Sequence, residues 1–181
     1  MKPDLETTSV PTWAAATSRP DADLTGRAWT IVGFGDGAQP VVAAWQAQIS
    51  DHRPEASVTV HVVDGVDADR DAAQAVDADL AGALVGWRLM IVGPADACLR
   101  LRAHALRCGV GDDEIVVGST EVATRDVLCV HCQTRTNAEV AIEDVLPCAG
   151  CGRNLLVYYH VSRLKGAYLG FMVDAELVTA P

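Results

Sequence analysis

Apolar positions along this chain come in two styles. Between residues 28 and 120 they form short solid runs separated by amphipathic stretches. "AWTIVGF" (Ala28–Phe34), "SVTVHVV" (Ser57–Val63), "WRLMIVGP" (Trp87–Pro94) and "DEIVVGS" (residues 113–119) read as β-strands. "PVVAAWQAQISD" has helical character, with Pro40 near its first position. "DGVDADRDAAQAVDADLAGALVG" is an acidic loop followed by one or two alanine-rich helical pieces, and residues 94–108 repeat apolar side chains at Ala97, Leu101, Ala105 and Cys108. Strand alternating with helix at this pitch predicts an α/β fold, a small parallel sheet flanked by helices. Strands that are apolar along their whole length fit a sheet buried on both faces.

The second style begins near residue 121. Through residue 154 polar residues alternate with cysteines and no helical period survives; then "NLLVYYHVS" (Asn154–Ser162) reads as a strand, and "RLKGAYLGFMVDAELV" closes the pattern with aromatics, Gly166 and Gly170. Residues 1–25, rich in Pro, Thr, Ser and Asp, read as an irregular arm whose Val10 and Trp13 are expected to dock on a partner or on the domain rather than form a core. The chain thus divides into an arm (1–25), an α/β domain (26–120) and a cysteine-bearing β module with a docking tail (121–181).

Four of the six cysteines change this picture from architecture to chemistry. They are spaced Cys129-x2-Cys132-x15-Cys148-x2-Cys151. Two intervening residues let a tight turn present both sulfurs to one ion, and two such knuckles make a tetrahedral four-sulfur site. The 15-residue spacer suggests a short β-hairpin, as in a zinc ribbon. Zinc is favoured, and a single rubredoxin-like iron is the alternative, since "CAGCG" has a knuckle shape that rubredoxins share. A pair of disulfides is the competing reading, disfavoured where thiols stay reduced. With no open coordination position, such a site is structural or carries electrons and does not activate substrate. His131, inside the first knuckle, is expected to be exposed or hydrogen-bonded to a thiolate rather than a ligand. Cys98 and Cys108, ten residues apart on one predicted helix, are expected to be buried small apolar residues.

A glycine loop, "IVGFGDGAQP", places Gly33, Gly35 and Gly37 between a strand and a helix, where a phosphate could meet helix N-terminal amides. The pattern is G-x-G-x-G rather than G-x-G-x-x-G; the second strand ends near Asp64, where a ribose-binding acid could lie. "LMIVGPADACLRLRAHALRCGVGDDEIVVGS" resembles the end of the nicotinamide-binding module of ferredoxin-reductase-type flavoproteins, with Gly93-Pro94 at its strand end and Gly109–Glu114 as its acidic turn. Val92 replaces that family's cysteine, Gln39 its threonine, and no flavin-binding barrel precedes the first strand. The resemblance implies the reductase fold with its hydride-transfer chemistry lost, so Gly33, Gly35, Gly37 and Gly93 are weak, vestigial cofactor-binding candidates.

Across most of its length, and most specifically over residues 129–171, the chain resembles the small subunit of bacterial dimethylamine monooxygenase. Both knuckles, "VYYHVSR" and "GAYLGF" fall in order there. The resemblance implies a subunit, not catalytic alone, of a multi-component, haem-dependent oxidative N-demethylase. It implies a haem-binding partner and a reductase partner carrying FMN and a 2Fe–2S cluster and drawing on NADPH. Dimethylamine, O2 and NADPH would give methylamine and formaldehyde. This chain is then expected to bridge subunits of a heterotrimer, with Tyr158, Tyr159, Tyr168 and Phe171 as contact anchors unless they pack over the metal module; His160 is expected to be a sheet residue. The alternatives are a rubredoxin-like iron relay between the flavin/2Fe–2S and haem subunits, or a nucleotide-binding regulatory module.

Charge and composition bound the remaining classes. Of the 181 residues half are hydrophobic, enough for an independent core, and no apolar run approaches the ~18 residues of a membrane span. The opening "MKPDLETTSVPTW" lacks an apolar h-region, so no signal peptide and a cytoplasmic location are expected. The net charge is −10. Residues 1–120 hold 17 acidic against 9 basic groups and residues 121–181 hold 7 against 5. An acidic surface repels phosphate backbones, which argues against a zinc-ribbon nucleic-acid binder.

Overall fold

The computed structural model describes residues 3–173. The arm contains a single 3-10 turn (Leu5–Thr7) and a short helix α1 (Thr12–Ala15). Then follow β1 (Ala28–Phe34), α2 (Gln39–His52), β2 (Ser57–Val63), α3 (Ala68–Ala81), β3 (Trp87–Pro94), α4 (Ala95–Arg107) and β4 (Ile115–Glu121). These four strands form a parallel sheet in the order β2-β1-β3-β4. α2 lays Val41, Val42, Trp45 and Ile49 against one face with Trp29, Ile31, Met90 and Val92. α3 and α4 cover the other, where Ala72, Val76, Cys98 and Leu101 meet Val32, Leu89, Ile91 and Val117. The α/β expectation holds. Burial on both faces holds for β1 and β3, whereas β2 is an edge strand that leaves Ser57, Thr59 and Val62 exposed. The last strand starts two residues later than the apolar pattern suggests. Asp112–Glu114 form a 3-10 turn in which the Glu114 carboxylate accepts the Gly111 N–H.

The second half is a five-stranded sheet: β5 (Thr124–Cys129), β6 (Arg135–Glu139), β7 (Val145–Pro147), β8 (Asn154–Ser162) and β9 (Ala167–Met172), in the order β6-β5-β9-β8-β7. The spacer between the knuckles is therefore not a hairpin. Its two strands, β6 and β7, lie on opposite edges of the sheet, β6 paired with β5 and β7 with β8. Each knuckle is itself the turn of a hairpin, so local pairing is spent within the knuckles and the spacer must cross between edges.

α4 is shared by both halves. Ala97, Cys98, Leu101 and Ala105 face the parallel sheet, while Ala95 and Leu99 join Val127, Leu155, Val157 and Tyr168 on the other side. Gly166, at φ 60 in the β8–β9 turn, rests on the Leu99 backbone so closely that a Cβ would overlap it. A polar hub seals the same seam. Arg100 donates to Asp96 (2.9 Å), Asp126 (2.8 Å) and Asp69 (2.7 Å), and the Asn137 amide bridges Asp96 and Asp126. Three carboxylates around one half-buried guanidinium hold it firmly charged.

The arm is docked more deeply than its composition suggests. Val10 and Ala14 are buried in the core of the second half, and Trp13 packs against both halves. The Tyr168 hydroxyl donates to the Ala14 carbonyl (3.0 Å), and Ser18 pairs with Ser119 at the edge of β4. Further along, the Trp45 indole donates to Pro20 O (2.7 Å). The end of the expected docking tail, residues 174–181, lies outside the described residues.

Candidate metal centre

The two cysteine pairs adopt one local structure twice. In the first, Cys129 N–H donates to Thr134 O (3.0 Å) and Gln133 N–H to Cys129 O (2.9 Å); in the second, Cys148 N–H donates to Arg153 O (2.8 Å) and Gly152 N–H to Cys148 O (2.9 Å). The residue after the second cysteine is left-handed in both, Gln133 at φ 63 and Gly152 at φ 70. That residue reverses the chain so that both sulfurs point the same way. Glycine takes this conformation freely; glutamine pays strain for it. The Gly150 N–H also points at Cys148 Sγ (3.4 Å). Gly150 itself has no room for a side chain, because Thr134 fills the space beside it.

The knuckles bring all four sulfurs together, every pair within 4.8 Å. Cys129 Sγ lies 3.8 Å from Cys151 Sγ, and Cys132 Sγ 3.5 Å from Cys148 Sγ. A tetrahedron with metal–sulfur bonds of about 2.3 Å has edges of about 3.8 Å. Disulfide sulfurs sit about 2.05 Å apart, so these separations fit one metal ion and exclude disulfides. Cys129 and Cys148 are buried against Val127, Leu146 and Leu155; Cys132 and Cys151 are half-buried at the rim.

Electrostatics make the same point. The Thr134 hydroxyl and amide lower the Cys132 thiol to about 6. The Cys151 amide draws Cys148 down. Cys151, although it receives the Arg153 amide, is pushed up to about 11 by burial and by the sulfurs of Cys132, Cys148 and Cys129. Four thiols this close cannot all ionise unaided; a cation among them removes the conflict. Thr134 and Arg153 escape a search for ligand types, yet their place directly after each left-handed residue marks them as the partners that close each knuckle.

The remaining sequence candidates fall elsewhere. His131 is exposed outside the sulfur cluster, and His160 is an exposed residue of β8. Cys98 is fully buried, its thiol donating to Gly118 O (3.6 Å) and raised well above the usual thiol range by burial. Cys108, by contrast, is exposed at the end of α4, not buried as the helical pattern suggested, because the helix turns out to solvent at its C-cap. Of the aromatic anchors, Tyr158 and Phe171 are exposed and stack edge-on (ring centroids 5.5 Å apart), with Tyr159 half-buried beside them. Tyr168 takes the packing alternative: at 1 % exposed it is a core residue of the cysteine half, under Ala14 and beside Leu99 of α4, and not a contact anchor.

Of the four candidate glycines, two are explained by packing. A Cβ on Gly33 would crowd Val42 and Ala38, and one on Gly93 would lie 2.5 Å from the Phe34 Cβ. Gly35 has φ 68, which the turn into α2 requires, and Gly37 lies beside Thr120 with room to spare. The crevice at the strand ends, about 350 Å³, is lined by Phe34, Asp64, Asp69 and Arg100. Arg100 is already committed to carboxylates there.

The stretch that carries the four cysteines is similar to known proteins. Residues 126–171, which run from β5 through both knuckles to β9, match the family described as dimethylamine monooxygenase subunit DmmA-like, C-terminal domain. A curated protein of Ectopseudomonas mendocina (strain ymp), the heme-dependent oxidative N-demethylase delta subunit, is 41% identical over 97 residues. That alignment covers 54% of this chain and 54% of the relative, so the chain spans about half of that protein's length. The order of knuckle, knuckle, "VYYHVSR" and "GAYLGF" falls within the stretch, residues 126–171, that is similar to the DmmA-like C-terminal domain.

Proposed function

We propose that this chain is a non-flavin subunit of a multi-component, haem-containing monooxygenase that oxidatively N-demethylates dimethylamine. The single observation that carries the reading is the four-sulfur cluster inside a stretch that matches the DmmA-like domain. The 41% identical relative, named as a subunit of a heme-dependent oxidative N-demethylase, supports the reaction class. The net reaction converts dimethylamine, O2, NADPH and a proton into methylamine, formaldehyde, NADP+ and water. The haem, the FMN and the 2Fe–2S cluster belong to partner subunits in this reading, as does the substrate pocket.

The chain's own role is to hold one metal on Cys129, Cys132, Cys148 and Cys151 and to bridge partners. A closed site with four protein ligands supplies rigidity, and zinc suits that role. The knuckles hold β5–β9 in register, and β8 and β9 then present Tyr158 and Phe171 as a contact surface toward a haem or reductase subunit, where exposed aromatics are favoured anchors. Gly33 and Gly93 act in packing and Gly35 in the turn into α2, rather than in nucleotide binding. Among the described residues no helix is long and apolar enough to cross a membrane.

Metal analysis and visible spectroscopy of the tagged chain purified from its own host test this directly. Co-purifying haem and flavin absorbance with one zinc per chain is the expected result. A chain that emerges alone at full yield overturns the subunit reading. One iron per chain, giving a red protein bleached by dithionite, replaces the architectural role with electron relay.

A further inference from the structure

A second cluster of ligand-type side chains lies on the opposite half of the molecule, and nothing in the four-cysteine centre requires it. His104 and Cys108 stand four residues apart on the last turn of α4, so both project from one face. Asp77 reaches them from α3. His104 Nε2 lies 2.6 Å from Asp77 Oδ1, and Cys108 Sγ lies 3.6 Å from both atoms. The position of Cys108 is fixed, since it is the helix C-cap and Gly109 at φ 93 turns the chain away behind it.

We propose that Asp77, His104 and Cys108 form a second metal site, for a borderline-soft divalent ion such as zinc, with its fourth position open to solvent. The donor set is one carboxylate, one imidazole and one thiolate, each a common zinc ligand. Tetrahedral zinc bonds of ordinary length set sulfur–nitrogen and sulfur–oxygen edges of about 3.6 Å and a nitrogen–oxygen edge of about 3.4 Å. Two of the three edges already have those lengths. The third is closed by the His104–Asp77 hydrogen bond, and rotation of the half-exposed Asp77 side chain opens it. Charge fits as well: carboxylate and thiolate neutralise a divalent ion, and the carbonyl end of α4 adds favourable potential for a cation. Ligands from two helices of the parallel-sheet half, with an open position, distinguish this site from the closed four-sulfur centre. It is independent of the N-demethylase reading.

The test titrates cobalt(II) into the full chain whose four-cysteine centre is already filled, with zinc content followed to exclude exchange. The expected result is one further equivalent of cobalt, thiolate-to-cobalt absorption, and slowed alkylation of Cys108 by iodoacetamide. His104→Ala, Asp77→Asn and Cys108→Ser should each remove or weaken this second step while the first metal is retained. Matching thermal melts show that the variants are folded. Absence of a second equivalent overturns the proposal, and so does a second step that survives unchanged in His104→Ala and Cys108→Ser.

Discussion

The two halves of this molecule reach order by different routes. In the parallel-sheet half, β1 and β3 are covered on both faces and close-packed against α2, α3 and α4. In the cysteine half, β6, β7 and β8 leave alternate residues exposed, the edge strands are three and five residues long, and the core borrows Val10 and Ala14 from the arm and Ala95 and Leu99 from α4. The first half is held by buried apolar area. The second leans on its seat on α4, and a metal held by the four cysteines would add to it, because a small core rarely meets the entropy cost of ordering its chain. The lesson is that in this half the seam residues, with the four cysteines once they hold a metal, would carry the stability that core residues carry elsewhere.

This contrast can be broken most severely at the metal. Cys148→Ser, or strong chelation, removes a ligand set whose apparent binding energy in structural zinc sites is about 10–16 kcal/mol. Amide hydrogen exchange should then rise throughout β8 and β9 while β1 and β3 keep their protection. Equal protection in β8 and β9 with and without metal would remove the distinction between the halves. The next largest effect belongs to the seam. Gly166→Ala combines a clash with Leu99 and a strained left-handed backbone, and should cost about 2–5 kcal/mol in denaturant unfolding. A cost no larger than that of an exposed glycine substitution such as Gly65→Ala would show that the halves do not share α4 tightly.

A smaller effect separates arm from sheet. Tyr168→Phe deletes a buried hydrogen bond to Ala14 and should lose about 1 kcal/mol. It also alters pH dependence. Burial holds the Tyr168 hydroxyl above its ordinary value of 10.0, so above pH 10 the unfolded state releases a proton that the folded state keeps. Its contribution is intact below pH 10 and falls as pH rises through the folded value. Alkaline melts of the Phe variant should show a shallower decline than wild type, and identical slopes would count against this account. The smallest effect has the opposite sign. Gln133→Gly makes the first knuckle match the second, and relief of the left-handed strain should stabilise the metal-bound chain by about 1 kcal/mol. A loss of stability would mean that the Gln133 side chain, which donates to Val130 O, outweighs the strain.

Much of this was readable in residue order, for identifiable reasons. The runs at Ala28–Phe34, Ser57–Val63 and Trp87–Pro94 are strands with the bounds their apolar patterns set, because solid apolar runs between glycines and prolines leave little choice of period. The sulfur cluster was legible because a C-x2-C turn has few conformations. The spacer was misjudged as a hairpin because its strands pair with β5 and β8 rather than with each other, a long-range choice that local pattern does not encode. Whether Tyr168 is an anchor or a core residue, and the exposure of Cys108, lie beyond local pattern for a related reason. Burial depends on what lies opposite, and the opposing surfaces are Ala14 for one and solvent for the other.

The sequence by itself determined the local chemistry: strand and helix positions, two sulfur-presenting turns, and a module order similar to that of a DmmA-like domain. Spacing along the chain dictates these, since turns and periodicities are short-range. Only the tertiary structure decided which edges the knuckle strands occupy, that α4 serves both sheets, that the arm completes the second core, and that His104 and Cys108 meet Asp77. Those outcomes depend on packing between residues far apart in the chain, where the gain from burial, not the local pattern, selects the partner.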